Sequence, residues 1–117
     1  MNKVHVGREA EQRAAEHLQE KGYHILARNF KFMHLGELDI VARDGDTLVF
    51  VEVRYRRSRN YGTPEGSLTP KKLQTVRRTA QAWMARNNYH RVPCRFDMIA
   101  VELVEGNEEI RHYVNAF

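Results

Sequence analysis

Three things are scarce in this chain: cysteine, proline and uninterrupted apolar sequence. The single cysteine, Cys94, excludes an intramolecular disulfide, and none of the six histidines pairs with another at zinc-ligand spacing. No apolar run approaches the ~20 residues of a membrane span, and residues 1–22 lack the cationic and apolar segments of a signal peptide. We therefore expect a cytoplasmic protein without structural zinc and without membrane contact.

The chain is short, and its basic residues are unevenly distributed. Its 117 residues are enough for one domain with a buried core, so we expect a single domain over residues 1–117. Four arginines and no acid lie between Arg54 and Arg59, and two lysines and two arginines, again without an acid, lie between Lys71 and Arg78. Such local positive fields attract phosphate backbones, although two merely solvated basic surfaces would have the same composition.

The apolar spacing predicts a helix, three strands, a second helix and two further strands. Ala10, Ala14 and Leu18 recur at helical spacing. Thr69 is placed to cap the second helix, with Pro70 in its first turn. The predicted elements are a helix at 7–21, strands at 23–29, 37–43 and 47–55, a helix at 70–86, and strands at 94–104 and 109–114. This order predicts an α/β domain in which two helices flank a central mixed five-stranded sheet.

The second and third strands form a predicted hairpin in which each strand carries a carboxylate. With Asp44 and Gly45 as the turn, Asp39 lies opposite Phe50. Strand alternation then places Asp39 and Glu52 on one face, with Cβ atoms within about 7–8 Å of each other. The other face is predicted to be purely apolar, with Leu38, Ile40, Ala42, Val49, Val51 and Val53.

These carboxylates predict a metal site. Two like charges so close on a half-buried sheet repel each other unless a cation is present. Glu11 is at helical spacing from Ala14 and Leu18, so its carboxylate points along the apolar face of the first helix, where it needs a partner. We therefore expect Glu11, Asp39 and Glu52 to hold one divalent cation, and oxygen-only ligands favour Mg²⁺ or Mn²⁺. The alternative is an independent salt bridge or solvent exposure for each acid.

The ordered set of motifs resembles a known nuclease superfamily. An acid on one strand, then a hairpin and Glu-x-Lys on the next strand, is the signature of PD-(D/E)XK, or restriction-endonuclease-like, nucleases; here it reads Asp39 and Glu52-Val53-Arg54. More narrowly, the sequence resembles the YraN-like family of small uncharacterised bacterial proteins, which are similar to archaeal Holliday-junction resolvases. The matching pieces are 7–11 with Ala14 and Leu18, 22–23, 28–30, 36–39, 50–54, 61–62, Lys72 and 95–97.

The resemblance implies a restriction-endonuclease-like fold in which Asp39 and Glu52 are metal ligands and Glu11 completes the site. Arg54 stands where the superfamily has a lysine that is thought to orient or activate the attacking water. An arginine keeps its proton, so Arg54 would only donate hydrogen bonds and offset phosphate charge. The alternative is that Lys72, in the first turn of the second helix, supplies the lysine; the adjacent Lys71 is a further candidate.

Basic residues on both sides of the proposed site predict a nucleic-acid interface. The loop over residues 56–67 combines arginines, a tyrosine and two glycines, a composition that suits a mobile clamp; the alternative is a simple connector. The predicted nucleic-acid-binding residues are Arg54, Arg56, Arg57, Arg59, Tyr61, Lys71, Lys72 and Arg77.

The leading hypothesis is a divalent-metal-dependent endonuclease that hydrolyses phosphodiester bonds in DNA, with Asp39, Glu52, Arg54 and Lys72 as catalytic residues. The residues do not distinguish DNA from RNA, or branched from linear substrates. A second hypothesis is a nucleic-acid-binding module that kept the fold and lost turnover, for which Arg54 is the main indication; a third is a protein-interaction scaffold. Because resolvase-like enzymes cut two strands as dimers, the resemblance also favours a homodimer.

Overall fold

Two helices cover opposite faces of one five-stranded sheet. The computed structural model describes residues 3–117, with side chains from residue 7 onward. The elements are α1 (Lys3–Glu20), β1 (His24–Phe32), β2 (Gly36–Asp44), β3 (Thr47–Arg56), α2 (Pro70–Arg86), β4 (Cys94–Val104) and β5 (Asn107–Tyr113), with a short 3₁₀ helix at Glu65–Ser67. The predicted fold class and element order are confirmed.

The sheet has the strand order β1-β2-β3-β4-β5 and is mixed. The first three strands form antiparallel pairs, β4 runs parallel to β3, and β5 is antiparallel to β4. A parallel pair needs a long crossover connection, which the loop after β3 together with α2 provides. Within residues 3–117, no helix has the length and apolar character to cross a membrane.

Alternating residues of the central strands build two apolar cores. Because β2, β3 and β4 are covered on both faces, they read as almost continuous apolar runs. The core under α1 consists of Ala10, Ala14, Ala15 and Leu18 with Ile40, Ala42, Val49, Val51, Ile99 and Val101. The core under α2 consists of Val76, Ala80 and Trp83 with Leu38, Val41, Leu48 and Phe50. Removal of these side chains from water is the main favourable contribution to folding.

The element boundaries follow the sequence signals, and the two largest differences are at the start of α1 and the end of β1. Thr69 caps α2 through a 3.2 Å hydrogen bond from the Lys72 N–H to its hydroxyl, as predicted. α1 begins at Lys3 instead of Gly7, so this glycine lies inside the helix. β1 extends to Phe32 instead of residue 29, because its last residues pair with the start of β2.

The predicted turn between β2 and β3 was displaced by one residue. The turn residues are Gly45 and Asp46, flanked by the pair Asp44–Thr47. Gly45 occupies the first turn position with a left-handed backbone (φ 59°), which hairpin turns with glycine in that place require. As a result, each β2 residue pairs with the β3 residue two positions further along the chain than predicted.

In the observed register Asp39 has a different cross-strand partner, but the side chains of β3 keep their predicted faces. Phe50 lies opposite Val41, so the prediction that it lies opposite Asp39 was wrong. Continuing the observed register brings Asp39 opposite Glu52. A shift of two residues keeps side chains on the same face of a regular strand, because the side-chain period is two.

Candidate active site

The regular alternation of β2 breaks at Asp39. Leu38 packs in the core under α2 and Ile40 in the core under α1, although residues two apart on a regular strand share a face. The prediction that both lie on one apolar face was therefore wrong. On β1, Asn29 lies between the partners of these two residues and has a left-handed backbone (φ 53°). Local strand distortions of this kind often re-aim a side chain next to a functional site.

The Asp39 carboxylate is anchored to β3. The regular pairing of β2 with β3 ends at Ile40 and Val51. Beyond it, the Val53 N–H donates a 2.8 Å hydrogen bond to Asp39 Oδ2. A side-chain oxygen thus satisfies a strand N–H, and this contact fixes the Asp39 carboxylate close to the Glu52 side chain.

A cluster of three carboxylates forms where α1 meets this distorted part of the sheet. One carboxylate oxygen each from Glu11, Glu37 and Asp39 lies within 4.8 Å of the others. α1 holds Glu11 in place by burying Ala10 and Ala14 against the sheet. The structure therefore brings Glu11 and Asp39 together and adds Glu37, which the sequence analysis did not include in the site.

Glu52 is the most deeply buried acid of this site. Its side chain is 2% exposed, and its Oε1 lies 3.4 Å from Arg54 Nη1 and 3.8 Å from Lys72 Nζ. Its other oxygen, Oε2, is buried without a hydrogen-bond partner, and so is Glu11 Oε2, counting every residue that the structure describes. Buried carboxylate oxygens without partners are costly, so two of them in one site call for an explanation.

The protonation of these acids reflects their burial and mutual repulsion. Burial, followed by the charges of Asp39 and Glu37, raises the pKa of Glu11 to about 7. Burial and then the Asp39 carboxylate raise the pKa of Glu52 to about 8, against the opposing effect of Lys72. Burial also raises the pKa of Asp39, although the Val53 N–H opposes it. The site without a cation therefore retains protons at neutral pH.

Two basic side chains reach Glu52 from different elements. The Arg54 guanidinium is held by the short 3₁₀ helix: Nε donates to Ser67 Oγ at 2.7 Å, and Nη2 lies 3.4 Å from the Ser67 carbonyl oxygen. Lys72 comes from the first turn of α2, and its side chain is more exposed, 40% against 26% for Arg54. The lysine that the β3 motif lacks is thus present beside Glu52 on a different element.

One arginine of the predicted clamp, Arg59, is anchored to β4. Arg59 donates to both carboxylate oxygens of Glu102, at 2.8 and 3.1 Å, and this glutamate is fully buried on β4. Glu102 also accepts a 2.8 Å hydrogen bond from Arg111, which in turn binds Glu65 through two further hydrogen bonds. The charge of Arg59 is therefore already paired.

The other predicted interface residues lie around the end of β3, on the loop after it, and on α2. Arg57 and Tyr61 are exposed on the loop after β3, and the neighbouring Arg56 is half-buried, with its Nε buried and unpartnered within the described part of the chain. Lys71 and Arg77 are exposed on α2.

Three residues near the site were not recognised from the sequence. Asn29, whose side chain hydrogen-bonds to Glu11, and Glu37 both lie in short matching motifs, so motif position was the available signal. Ser67 holds Arg54 from the far end of a loop. Nothing in the local sequence marks this serine, because its contact depends on the path of the loop.

Fold and site together define a class: a small mixed α/β domain with a half-buried acidic cluster, and beside it a buried glutamate flanked by a lysine and an arginine. The chain belongs to uncharacterised protein family UPF0102, which it matches over residues 10–101. This is the YraN-like family that the sequence motifs resemble.

Relatives in several bacteria match nearly the whole chain. A UPF0102 protein of Symbiobacterium thermophilum is 46% identical over 113 residues, covering 96% of this chain and 95% of the relative. A UPF0102 protein of Geobacter sulfurreducens is 44% identical over 117 residues, covering 99% and 90%. One from Caldicellulosiruptor saccharolyticus is 40% identical over 119 residues and covers both chains completely.

Proposed function

We propose that this protein is a divalent-metal-dependent nuclease that hydrolyses phosphodiester bonds in DNA. The observation that carries the proposal is the acidic cluster of Glu11, Glu37 and Asp39, whose oxygens lie within 4.8 Å of one another. Glu52 lies outside this cluster but next to Asp39, and Glu11 and Glu52 each have a buried oxygen without a hydrogen-bond partner among the described residues. The resemblance of the same residues to the PD-(D/E)XK signature supports this function. We also propose that the enzyme is intracellular and that it acts on nucleic acid as a homodimer.

The residues of the site fit a divalent cation. All four carboxylates offer oxygen ligands, which Mg²⁺ and Mn²⁺ prefer, and Glu11 and Glu52 each have an oxygen without another partner. Asp39 lies between the other acids, so it is the ligand that every arrangement of the site would share. A bound cation would supply Lewis acidity toward a phosphoryl oxygen and offset the repulsion among the carboxylates.

Lys72 and Arg54 would serve the phosphate that approaches this cluster. The exposed Lys72 ammonium can donate to a phosphate oxygen while it remains within 3.8 Å of Glu52, so it can orient the scissile group. Arg54 is held by Ser67 and keeps its proton, so it contributes fixed positive charge and does not accept a proton. Both cations would stabilise negative charge that develops on the phosphoryl oxygens during in-line attack.

A cleavage assay with a matched variant tests this function. Purified wild type and Asp39→Asn would be incubated with duplex, single-stranded and branched DNA in Mg²⁺, Mn²⁺ or EDTA. We expect metal-dependent cleavage by the wild type only, because the substitution removes the shared ligand with little change in shape. No cleavage of any substrate, together with no metal binding, would refute the proposal.

A nucleic-acid-binding module without turnover is the second candidate, and the position of Arg54 favours it. Arg54, which stands in place of the usual lysine, keeps its proton and is held by Ser67 while its Nη1 lies 3.4 Å from Glu52. This candidate predicts salt-sensitive DNA binding that needs no Mg²⁺ and no cleavage even at high enzyme concentration. Single-turnover assays separate the two candidates, since they detect one slow cleavage event per enzyme.

A further inference from the structure

The outer side of α2 carries an uncompensated positive charge. The helix has no acidic residue along its 17 residues, and its cations are Lys71, Lys72, Arg77, Arg78 and Arg86. Helices on a protein surface more often alternate charges of both signs. The one-sided charge of α2 therefore suits an anionic partner.

A shallow groove runs along the first two turns of this helix. It encloses about 520 Å³, and its lining combines apolar side chains with two cations and an amide: Pro70, Lys71, Leu73, Gln74 and Arg77. Pro70, Leu73, Gln74 and Arg77 follow the spacing of one helical stripe, so the groove is built from consecutive turns. An open basic groove of this kind suits an extended chain better than an enclosed small molecule.

The cations in the groove are available for binding, unlike Arg54 of β3 and Arg59 of the following loop. Neither Lys71 nor Arg77 pairs with an acid among the side chains of residues 7–117, whereas Arg59 is bound to Glu102 and Arg54 to Ser67. The Arg77 guanidinium lies over the Phe96 ring, 5.6 Å from its centroid. This contact holds the arginine in place without neutralising its charge.

We propose that this groove binds the sugar-phosphate backbone of the nucleic acid next to the phosphate at the acidic cluster. The proposal rests on the proposed function and identifies which basic surface the substrate uses. Lys72, adjacent in sequence to Lys71, lies beside Glu52, so one strand can pass from the cluster into the groove. The rise from Lys71 to Arg77 is about 9 Å, enough for two or three phosphates of one strand.

The contacts available in the groove predict binding that is independent of base sequence. Lys71 and Arg77 would contact phosphates, and the Gln74 amide would donate to a phosphate or sugar oxygen. Such contacts fix the position of a strand but carry no sequence information. The loop after β3 would then contribute to nucleic-acid binding through its shape more than through phosphate contacts.

Salt-dependent binding measurements test the groove. Fluorescence anisotropy with labelled duplex DNA, single-stranded DNA and RNA would be recorded in EDTA over a range of KCl concentrations. We expect Lys71→Ala and Arg77→Ala each to weaken binding and to lower the slope of log K against log[KCl] by about 0.9 on duplex DNA, one phosphate contact each.

Matched variants control for total charge and for folding. Arg86→Ala removes one exposed arginine from the same helix outside the groove, and Arg77→Lys keeps the charge, so both should retain the wild-type slope. The groove proposal is refuted if Arg77→Ala lowers the salt slope no more than Arg86→Ala does, or if the wild type binds none of the three nucleic acids. Because EDTA excludes metal, this assay measures binding apart from cleavage. Groove-dependent binding here, together with no cleavage in the separate Mg²⁺ and Mn²⁺ assay, would reject the nuclease and retain the groove.

Discussion

Glu52 combines features that rarely occur together in a residue of purely structural function. It is 2% exposed, one oxygen has no partner, and its pKa is raised to about 8 by burial and by Asp39. A buried acid that accepts several hydrogen bonds has a depressed pKa instead, as Asp97 shows: burial raises its pKa, but hydrogen bonds from His112 and Arg95 lower it further. Strongly raised values are typical of functional clusters.

The raised pKa values predict how stability depends on pH in the absence of metal. The values of about 7 for Glu11 and about 8 for Glu52 lie above the 4.5 of an unperturbed glutamate. Between those limits the folded state binds more protons than the unfolded state, so the contribution of these acids to stability falls as pH rises from about 4.5 to 8. Melting temperatures in EDTA at pH 5.5 and 8.5 should show this fall, and Glu52→Gln should reduce it.

The control for this measurement is Glu109→Gln, which removes a carboxylate from the exposed end of the sheet. Its pH profile should follow that of the wild type. If Glu52→Gln also kept the full wild-type fall, the raised pKa of Glu52 would be wrong.

The relative importance of Lys72 and Arg54 is a second prediction at this scale. Lys72 is the more exposed of the two, and Arg54 is restrained by Ser67. We expect Lys72→Ala to lower the single-turnover cleavage rate by about 10²–10³-fold, typical of one lost transition-state donor, and Arg54→Ala to lower it less. If Arg54→Ala lowered the cleavage rate more than Lys72→Ala, Arg54 would be the main catalytic cation. The activity of Arg54→Lys would then show whether its positive charge alone is sufficient.

Among the structural elements, the loop after β3 is held by ion pairs that sequence patterns do not reveal. Arg111 binds Glu65 and Glu102, and Arg59 binds Glu102, across sequence separations of 46, 9 and 43 residues. The Arg111 guanidinium lowers the pKa of Glu65 to about 2. Partners so far apart meet only because β4 and β5 lie under the loop, so the sequence suggested a mobile clamp instead.

This network predicts that Glu65 controls the accessibility of the loop. Glu65→Gln weakens the pair with Arg111, so the loop should open more often, and limited trypsin digestion should cut faster at Arg57. Glu109→Gln is the matched control, because it removes an acid that also contacts Arg111, at 3.1 Å, but lies outside the loop. Equal digestion rates for both variants would show that the Glu65 pair does not restrain the loop.

The elements themselves were largely predictable because they depend on local patterns. Thr69 and Pro70 marked the start of α2, and apolar periodicity marked both helices and the central strands. The hairpin turn was displaced because the sequence Asp44-Gly45-Asp46 offers two overlapping turn dipeptides, and pairing with neighbouring strands decides between them. The break at Asp39 could not be predicted, since strand alternation assumes a regular strand.

For the whole molecule, the candidate site was predictable in its acids and not in its surroundings. Asp39 and Glu52 stood out as acids within apolar strands, and Glu11 as an acid on an apolar helix face. Tertiary contacts decide that Glu37 joins the acidic cluster. They also decide which basic residues are paired with an acid, as Arg59 is with Glu102. The local sequence therefore indicated the acidic residues of the candidate site, and the fold determined which basic side chains lie next to them.

Calorimetric titration of metal-free protein with Mn²⁺ tests the central claim, that the buried acids hold a divalent cation, most directly. At pH 7 the binding heat of the wild type should depend on the ionisation enthalpy of the buffer, because cation binding releases protons held at Glu11 and Glu52. A cation at 100 times its Kd would add about 2.7 kcal/mol of stability, a rise in melting temperature on the order of 10 °C. Both effects should disappear in Asp39→Asn. The absence of binding by the wild type, or unchanged binding by the variant, would contradict the account.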